Sequence, residues 1–348
     1  MMDDVDRRLL NVIQKAVPLV ERPFQAIAVQ AGLDERQVIE RISALRSGAR
    51  PIIRQISAIF DTAALGYAST LVAARVDPDR IEAAAEAVNL HPGVTHNYQR
   101  NHDYNLWYTL AVGPDSRLGL ARTVELLHER SGALATRMLP TLKLYKIGVS
   151  FDMTGESDPA AQTGVGGFGA ADRARAMAHS ISDADKSIIR VLQQDLPAMP
   201  RPFDAWATQA GMSTRELLDA ASAMLQRGWM RRFSAVLHHR QAGISANAMG
   251  VWVVPPDRAD AFGATAAGFA AVSHCYLRPT YPDWPYSIFT MVHGRSHAEC
   301  EATLGAIAAA TGISEYRALY SSRQFKKVRL RYFVGDIEEW ETDALGRQ

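Results

Sequence analysis

The strongest constraint on this 348-residue chain is that it contains one pattern twice. Asp6-Arg7-Arg8-Leu9-Leu10-Asn11-Val12-Ile13-Gln14 returns as Asp185-Lys186-Ser187-Ile188-Ile189-Arg190-Val191-Leu192-Gln193. Arg22-Pro23-Phe24 returns as Arg201-Pro202-Phe203, and Gln30-Ala31-Gly32 as Gln209-Ala210-Gly211, all at an offset of 179 residues. Val94-Thr95-His96-Asn97-Tyr98-Gln99-Arg100 returns as Val272-Ser273-His274-Cys275-Tyr276-Leu277-Arg278, and 116–153 aligns without a gap on 296–333. The chain is therefore two homologous halves, about 1–153 and 182–333, and each must fold to the same plan.

Each half opens with a helical pattern. Residues 4–17 place Leu9, Leu10, Ile13 and Val17 on one face. A short helix over about 24–31 stops at Gly32, and Asp34 caps a third that runs to about Leu45. Ile52 to Phe60 reads as a strand or hairpin, which completes the order of a winged helix-turn-helix. The remainder reads β-α-β-β-α-β: strand 68–76, helix 79–89, strands 94–100 and 105–112, helix 116–130, and a last strand within 137–151. That is the ferredoxin-like order, and the second half repeats it. The expected fold is α+β, with winged helix-turn-helix domains at 1–61 and 182–240 and ferredoxin-like domains at 62–153 and 241–334. A linker is expected over 154–181 and a tail over 335–348. Gly164 to Gly169 sits in that linker; no preceding strand and no following Lys-Ser/Thr make it a phosphate loop.

Composition narrows the function. A net charge of +1 gives no general pull on nucleic acid or an anionic membrane. Two cysteines are too few for a disulfide framework or a thiolate metal site. The chain shows neither a bilayer-length apolar run nor a signal-peptide pattern at its start, so a cytoplasmic protein with no membrane partner is expected.

Segment 91–110 holds three histidines, one arginine and four aromatics. On a strand, His96, Tyr98, Arg100 and His102 share a face, an unusual set to bury without a ligand. His96, Tyr98 and Arg100 have counterparts in His274, Tyr276 and Arg278, whereas His102 aligns with Thr280. Further repeated pairs are Arg137 with Arg317, Lys143 with Arg323, and Tyr145-Lys146 with Phe325-Lys326. A buried histidine with a structural hydrogen bond and an exposed basic strand are the bland alternatives. Recurrence in both halves favours function. Trp107 and Trp284 read as core or pocket wall, and His91, in a His-Pro-Gly turn, as structural. His238 and His239 are adjacent on a strand and point to opposite faces, so they cannot chelate together.

The domain order resembles the Lrp/AsnC regulators. The helices at 34–47 and 213–227, however, each carry no net charge, whereas phosphate contact needs a basic face. The segment 94–108, together with Cys275-Tyr276-Leu277-Arg278-Pro279 and Pro282-Asp283-Trp284-Pro285-Tyr286, resembles the siroheme decarboxylases in their fused two-subunit form. So do the basic segments Pro140 to Lys146 and Ser321 to Lys327. The resemblance implies removal of the two acetate carboxyls at C12 and C18 of siroheme, giving 12,18-didecarboxysiroheme for haem d1 or for the alternative haem route. It implies no cofactor beyond the substrate's own iron. The candidate catalytic residues are then His96, Arg100, His102, His274 and Arg278. Candidate substrate-binding residues are Tyr98, Tyr276, Arg137, Lys143, Tyr145, Lys146, Arg317, Arg323, Lys326, Trp107 and Trp284.

The residue types suit that chemistry. Arginine clamps carboxylates in pairs of hydrogen bonds. Histidine can deliver a proton near neutrality. The macrocycle is its own electron sink. His96 or His274 could meet the iron while the other acts as acid, and both assignments stay open. Siroheme and its products are the expected partners, with the halves forming a pseudo-dimer, further homodimerisation and other haem d1 proteins as possible additions, and no specific DNA binding. A DNA-binding regulator and a non-catalytic tetrapyrrole sensor are the alternatives.

Overall fold

The computed structural model describes residues 2–47, 51–147, 180–238 and 246–346. Nearly all of the linker expected over 154–181, with its glycine run, lies outside these residues, as does His239. The first half comprises α1 (Asp4–Lys15), α2 (Pro23–Ala31), α3 (Glu35–Arg46), β1 (Ile53–Phe60), β2 (Ala68–Arg75), α4 (Ile81–Asn89), β3 (Val94–Arg100), β4 (Leu106–Val112), α5 (Gly119–Ser131), β5 (Ala135–Leu139) and β6 (Lys143–Ile147). The second comprises α6 (Asp183–Leu192), α7 (Asp204–Gln209), α8 (Thr214–Arg227), β7 (Met230–Leu237), β8 (Ala246–Trp252), α9 (Ala259–Gly268), β9 (Val272–Leu277), β10 (Ile288–Gly294), α10 (His297–Thr311) and β11 (Tyr316–Lys327), and is followed by α11 (Asp336–Gly346).

Local chemistry fixes the helix starts. Asp3 with Asp6, Asp34 with Gln37, Ser182 with Asp185, and Ser213 with Glu216 each form a reciprocal capping box. The strand after each three-helix unit does not turn back on itself as a wing would. β1 pairs antiparallel with β7, so each domain's strand is completed by the other's. The helical domains then bury one shared core, in which Leu9, Phe24 and Ile42 meet Ile189, Phe203 and Phe233. The arginines of α3 are spent on carboxylates: Arg41 on Asp3 and Asp6, Arg36 on Glu40 and Arg46 on Asp195.

The other strands form one sheet of nine in the order β5-β2-β4-β3-β11-β8-β10-β9-β6. The last strand of each half is exchanged. Residues 316–320 of β11 pair with β8 of their own half, and residues from 321 onward pair with β3 of the first. In the first half the same path is cut by Pro140, which cannot donate to a ladder. There β5 stays on β2, and β6 crosses to β9. The two halves of the sheet face each other across an aromatic core of Tyr104, Trp107, Trp284, Tyr286 and Phe289.

The residues expected as a C-terminal tail form α11 instead, and it docks on the first half. Trp340 stacks edge-on against His91 at 4.4 Å and lies under Arg130 at 4.8 Å. The fully buried Glu341 accepts from Ser116 Oγ and, at 2.9 Å, from the Arg117 N–H. Removing the indole opens a cavity against the first ferredoxin-like core. Trp340→Ala is therefore expected to cost about 3–5 kcal/mol in urea unfolding. A loss within 0.5 kcal/mol would mean that α11 contributes little to stability.

Candidate functional site

β3 and β9 carry the same device. Asn97 points to the helical side, donating to the Ala85 carbonyl and to Asn89, and Cys275 lies in the core beneath α9. The alternate residues therefore face inward. Tyr98 stands opposite Trp107, and Tyr276 opposite Phe289, both of which line the core between the two halves. Along each strand a histidine, a tyrosine and an arginine stack in a column. His96 and Tyr98 are 6.2 Å apart and Arg100 lies 5.9 Å from the Tyr98 ring. His274 and Tyr276 are 5.9 Å apart and Arg278 lies 4.7 Å from the Tyr276 ring.

Each column uses the exchanged strand of the other half. Arg100 donates through Nη1 to the Leu319 carbonyl at 2.9 Å, and Arg278 donates to the Leu139 carbonyl. Arg100 is only 7% exposed and Arg278 only 9%. Among the described residues neither pairs with a carboxylate, and the Nε of each finds no acceptor. Burial lowers both guanidinium pKa values to about 10, so both stay charged at neutral pH. An unpaired buried cation is costly to keep unless something anionic joins it.

The histidines are tuned differently from solvent. Burial first, then the positive charges of Lys327 and Arg54, lower His96 to about 4, so its imidazole is neutral at pH 7. Its Nδ1 is engaged by Thr95 Oγ1 at 3.0 Å. In the second half Ser273 Oγ bridges His274 Nδ1 at 2.8 Å and His293 Nε2 at 2.7 Å. His102 lies beyond Arg100; its Nδ1 accepts from the Tyr104 N–H at 3.0 Å, and its ring meets the edge of Trp284 at 5.2 Å. Burial lowers the His102 pKa, with Asp103 opposing and Arg317 assisting.

Several sequence candidates have protein partners instead. Arg137 forms a two-point ion pair with Asp283, at 2.9 Å and 2.7 Å, and Tyr104 donates to the same carboxylate at 2.7 Å. Lys143 and Tyr145 both reach Asp260 on α9, and Lys146 caps the Phe269 carbonyl. Arg323 pairs with Glu82 on α4, and Lys326 donates to the carbonyls of Asn89 and His91. These residues lie on the helical side of the exchanged strands and pin each strand to the other half. Their basic character is accounted for by that role, away from the columns. Trp107 and Trp284 are fully buried 5.2 Å apart, at the centre of the core.

Sequence reading missed a cationic cluster beside His96. Arg54 on β1 donates to the Lys327 carbonyl at 3.4 Å, and Lys327 pairs in register with His96. Arg329 reaches Ser57 Oγ and the Ala58 carbonyl. No single-segment motif could show this, because the residues come from both halves. A cavity of about 680 Å³ opens elsewhere, between loop 279–287 and the ends of β8 and α10. Its walls are proline-rich and largely apolar. Arg278 is its one cation, against Glu315, a poor match to a multiply charged anion.

Comparison with known proteins fits this duplicated frame. A family model for the AsnC-like ligand binding domain matches 64–146 and 241–326, and one for the siroheme decarboxylase NirDL-like HTH domain matches 6–54 and 185–231. The siroheme decarboxylase of Hydrogenobacter thermophilus is 40% identical over 338 residues, 97% of this chain and 98% of that relative. The chain belongs to the siroheme decarboxylase family. The crystal structure of the siroheme decarboxylase NirDL in co-complex with an iron-uroporphyrin III analogue matches with a TM-score of 0.76, at 34% identity over 99% of both chains. The alpha subunit of the siroheme decarboxylase from Desulfovibrio desulfuricans is 44% identical over 156 residues, 45% of this chain and 87% of that subunit. As a family member, the chain is a decarboxylase that carries both halves of its pseudo-dimer in one polypeptide.

A buried charge kept for a ligand works against stability. Arg100→Met should leave the fold equally stable or up to about 4 kcal/mol more stable, because an apolar side chain of similar length replaces an unpaired cation. It should weaken binding of iron-uroporphyrin III at least tenfold. Urea unfolding and an absorbance titration check the two effects, and a large loss of stability with intact binding would mark Arg100 as structural.

Proposed function

We propose that this chain removes the C12 and C18 acetate carboxyls of siroheme without oxidation, giving 12,18-didecarboxysiroheme on the route to haem d1. The observation that carries the reading is the buried, carboxylate-free arginine at the foot of each His-Tyr column. Such an arginine suits a substrate carboxylate held against an aromatic wall. At each acetate the bond between methylene and carboxyl carbon breaks. Its electron pair passes toward the macrocycle, a proton ends on the carbon, and CO₂ leaves. The balance needs one proton for each carboxyl and no redox partner.

The first column supplies the parts. Arg100 orients the carboxylate, Tyr98 forms the wall, and His96 and His102 are the groups able to meet iron or deliver the proton. His96 is neutral in the free protein partly because Lys327 and Arg54 stand near it. Substrate carboxylates that neutralise those cations raise its pKa toward the useful range. A DNA-binding role for the helical domains is disfavoured, since the arginines of α3 are paired with protein carboxylates.

Incubation with siroheme under anaerobic conditions should release CO₂ in two steps with matching product masses. His96→Ala and Arg100→Ala should lower turnover by at least 10²-fold, the usual scale for a lost proton donor. Absence of any product that has lost one or two carboxyls would reject the reading. Ligand binding should also draw a proton onto His96. Near pH 6, calorimetry of iron-uroporphyrin III binding in buffers of different ionisation enthalpy should show proton uptake in the wild type and less in His96→Gln.

A further inference from the structure

The two columns are built alike, but their surroundings differ in one respect that decides which of them can take an anion. The connection after the first column is short, running from Asn101 to Asn105. The one after the second runs from Pro279 to Ser287 and brings in Tyr281, Asp283 and Trp284. Arg137 and Arg317 are repeat mates on the exchanged strands. Arg137 lies beside the second column, because the next residues of its strand receive the Tyr281 hydroxyl at Met138 and the Arg278 guanidinium at Leu139. Arg317 lies in the same relation to the first column, where Leu319 receives Arg100 and Tyr320 exchanges two hydrogen bonds with Asn101.

The longer loop neutralises only one of the pair. Asp283 takes both arms of Arg137 and the Tyr104 hydroxyl, and Arg137 also lies 5.3 Å from the Tyr281 ring. That hydrogen bonding holds the Asp283 carboxylate down at about 2, so it stays ionised throughout the working range. Arg317 is exposed and, among the described residues, forms no ion pair. Asp103 is the one acid in the short loop, and it does not pair with Arg317. His102, which has no counterpart in the longer loop, stands on the Arg317 side.

We infer that Asp283 closes the second column to anions, and that one tetrapyrrole binds per chain, at the first column, with Arg317 as a second carboxylate clamp beside Arg100. The inference rests on the siroheme reading for the class of ligand. An incoming carboxylate at the second column has to displace Asp283 from Arg137. At the first it meets Arg100, Arg317, Lys327 and Arg54 with no competing acid. Both acetates then leave from one site in turn, and the macrocycle changes its seating between the two losses. The second column keeps the symmetric partner fold without binding substrate.

The test is an anaerobic absorbance titration of the full chain with iron-uroporphyrin III, which needs no turnover. The wild type should saturate at one equivalent. Arg317→Ala should keep that stoichiometry and the melting temperature while raising Kd at least tenfold. Asp283→Asn, nearly isosteric but uncharged, should admit a second, weaker equivalent. Two equivalents in the wild type, or an unchanged Kd for Arg317→Ala, would overturn the assignment. An Asp283→Asn protein that stays at one equivalent would overturn the closure by that carboxylate. Failure of the siroheme reading shows separately, as an absence of decarboxylated product from a chain that still binds one iron-uroporphyrin III.

Discussion

The structure depends on the exchange of the last strand between halves. A ferredoxin-like sheet with one open edge has to cover its unpaired N–H and C=O groups. Here β3 is covered by the end of β11, and β9 by β6. The same crossing carries Leu319 and Leu139 under the two buried arginines, so the main chain of one half holds the guanidinium of the other. Lys143, Lys146, Arg323 and Lys326 are hooks for that crossing. Their contacts with Asp260, the Phe269 carbonyl, Glu82 and the Asn89 carbonyl fix the strands at the register that aims each column inward.

Once the columns face inward, charge decides what they can do. A guanidinium with a neutral carbonyl as its only strong acceptor is held at a cost. The protein neutralises an arginine beside one column with Asp283 and leaves the corresponding arginine beside the other in solvent. The helical domains follow the same economy. Their arginines are paired where a DNA-binding domain needs free ones, while Arg54, on the strand shared between those domains, is turned toward His96. A regulator-type scaffold can thus lose its nucleic-acid face and keep the symmetric cleft between its sheets.

Much of this was legible in the sequence, because duplication doubles every signal. The three-helix units, the β-α-β-β-α-β order and the His-Tyr-Arg triplet all appear twice at nearly constant spacing. The less legible features depend on contacts between segments far apart in sequence. A strand segment such as 52–60 has the same period whether it pairs with itself or with 230–237. Basic strand residues such as Lys143 and Arg323 look alike whether they face a ligand or a helix. Residues 335–348 lack a strong apolar period, and α11 is held chiefly by Trp340 and by Glu341, whose partners lie more than 200 residues away. The extra residues around Asp283 were visible as an unequal loop, but their target, Arg137, was not.

The strand exchange also bears on synthesis. While the first half leaves the ribosome, the β3 edge has no partner, and the residues that cover it, 321–327, are nearly the last to be made. The first ferredoxin-like domain therefore waits with an open sheet edge until translation is almost complete. Fusing the halves shortens that interval and holds the covering strand at high local concentration. Where the halves are separate polypeptides, each nascent subunit must find its mate or be shielded by a chaperone, and balanced, neighbouring synthesis of the two is the simplest safeguard against edge-to-edge aggregation.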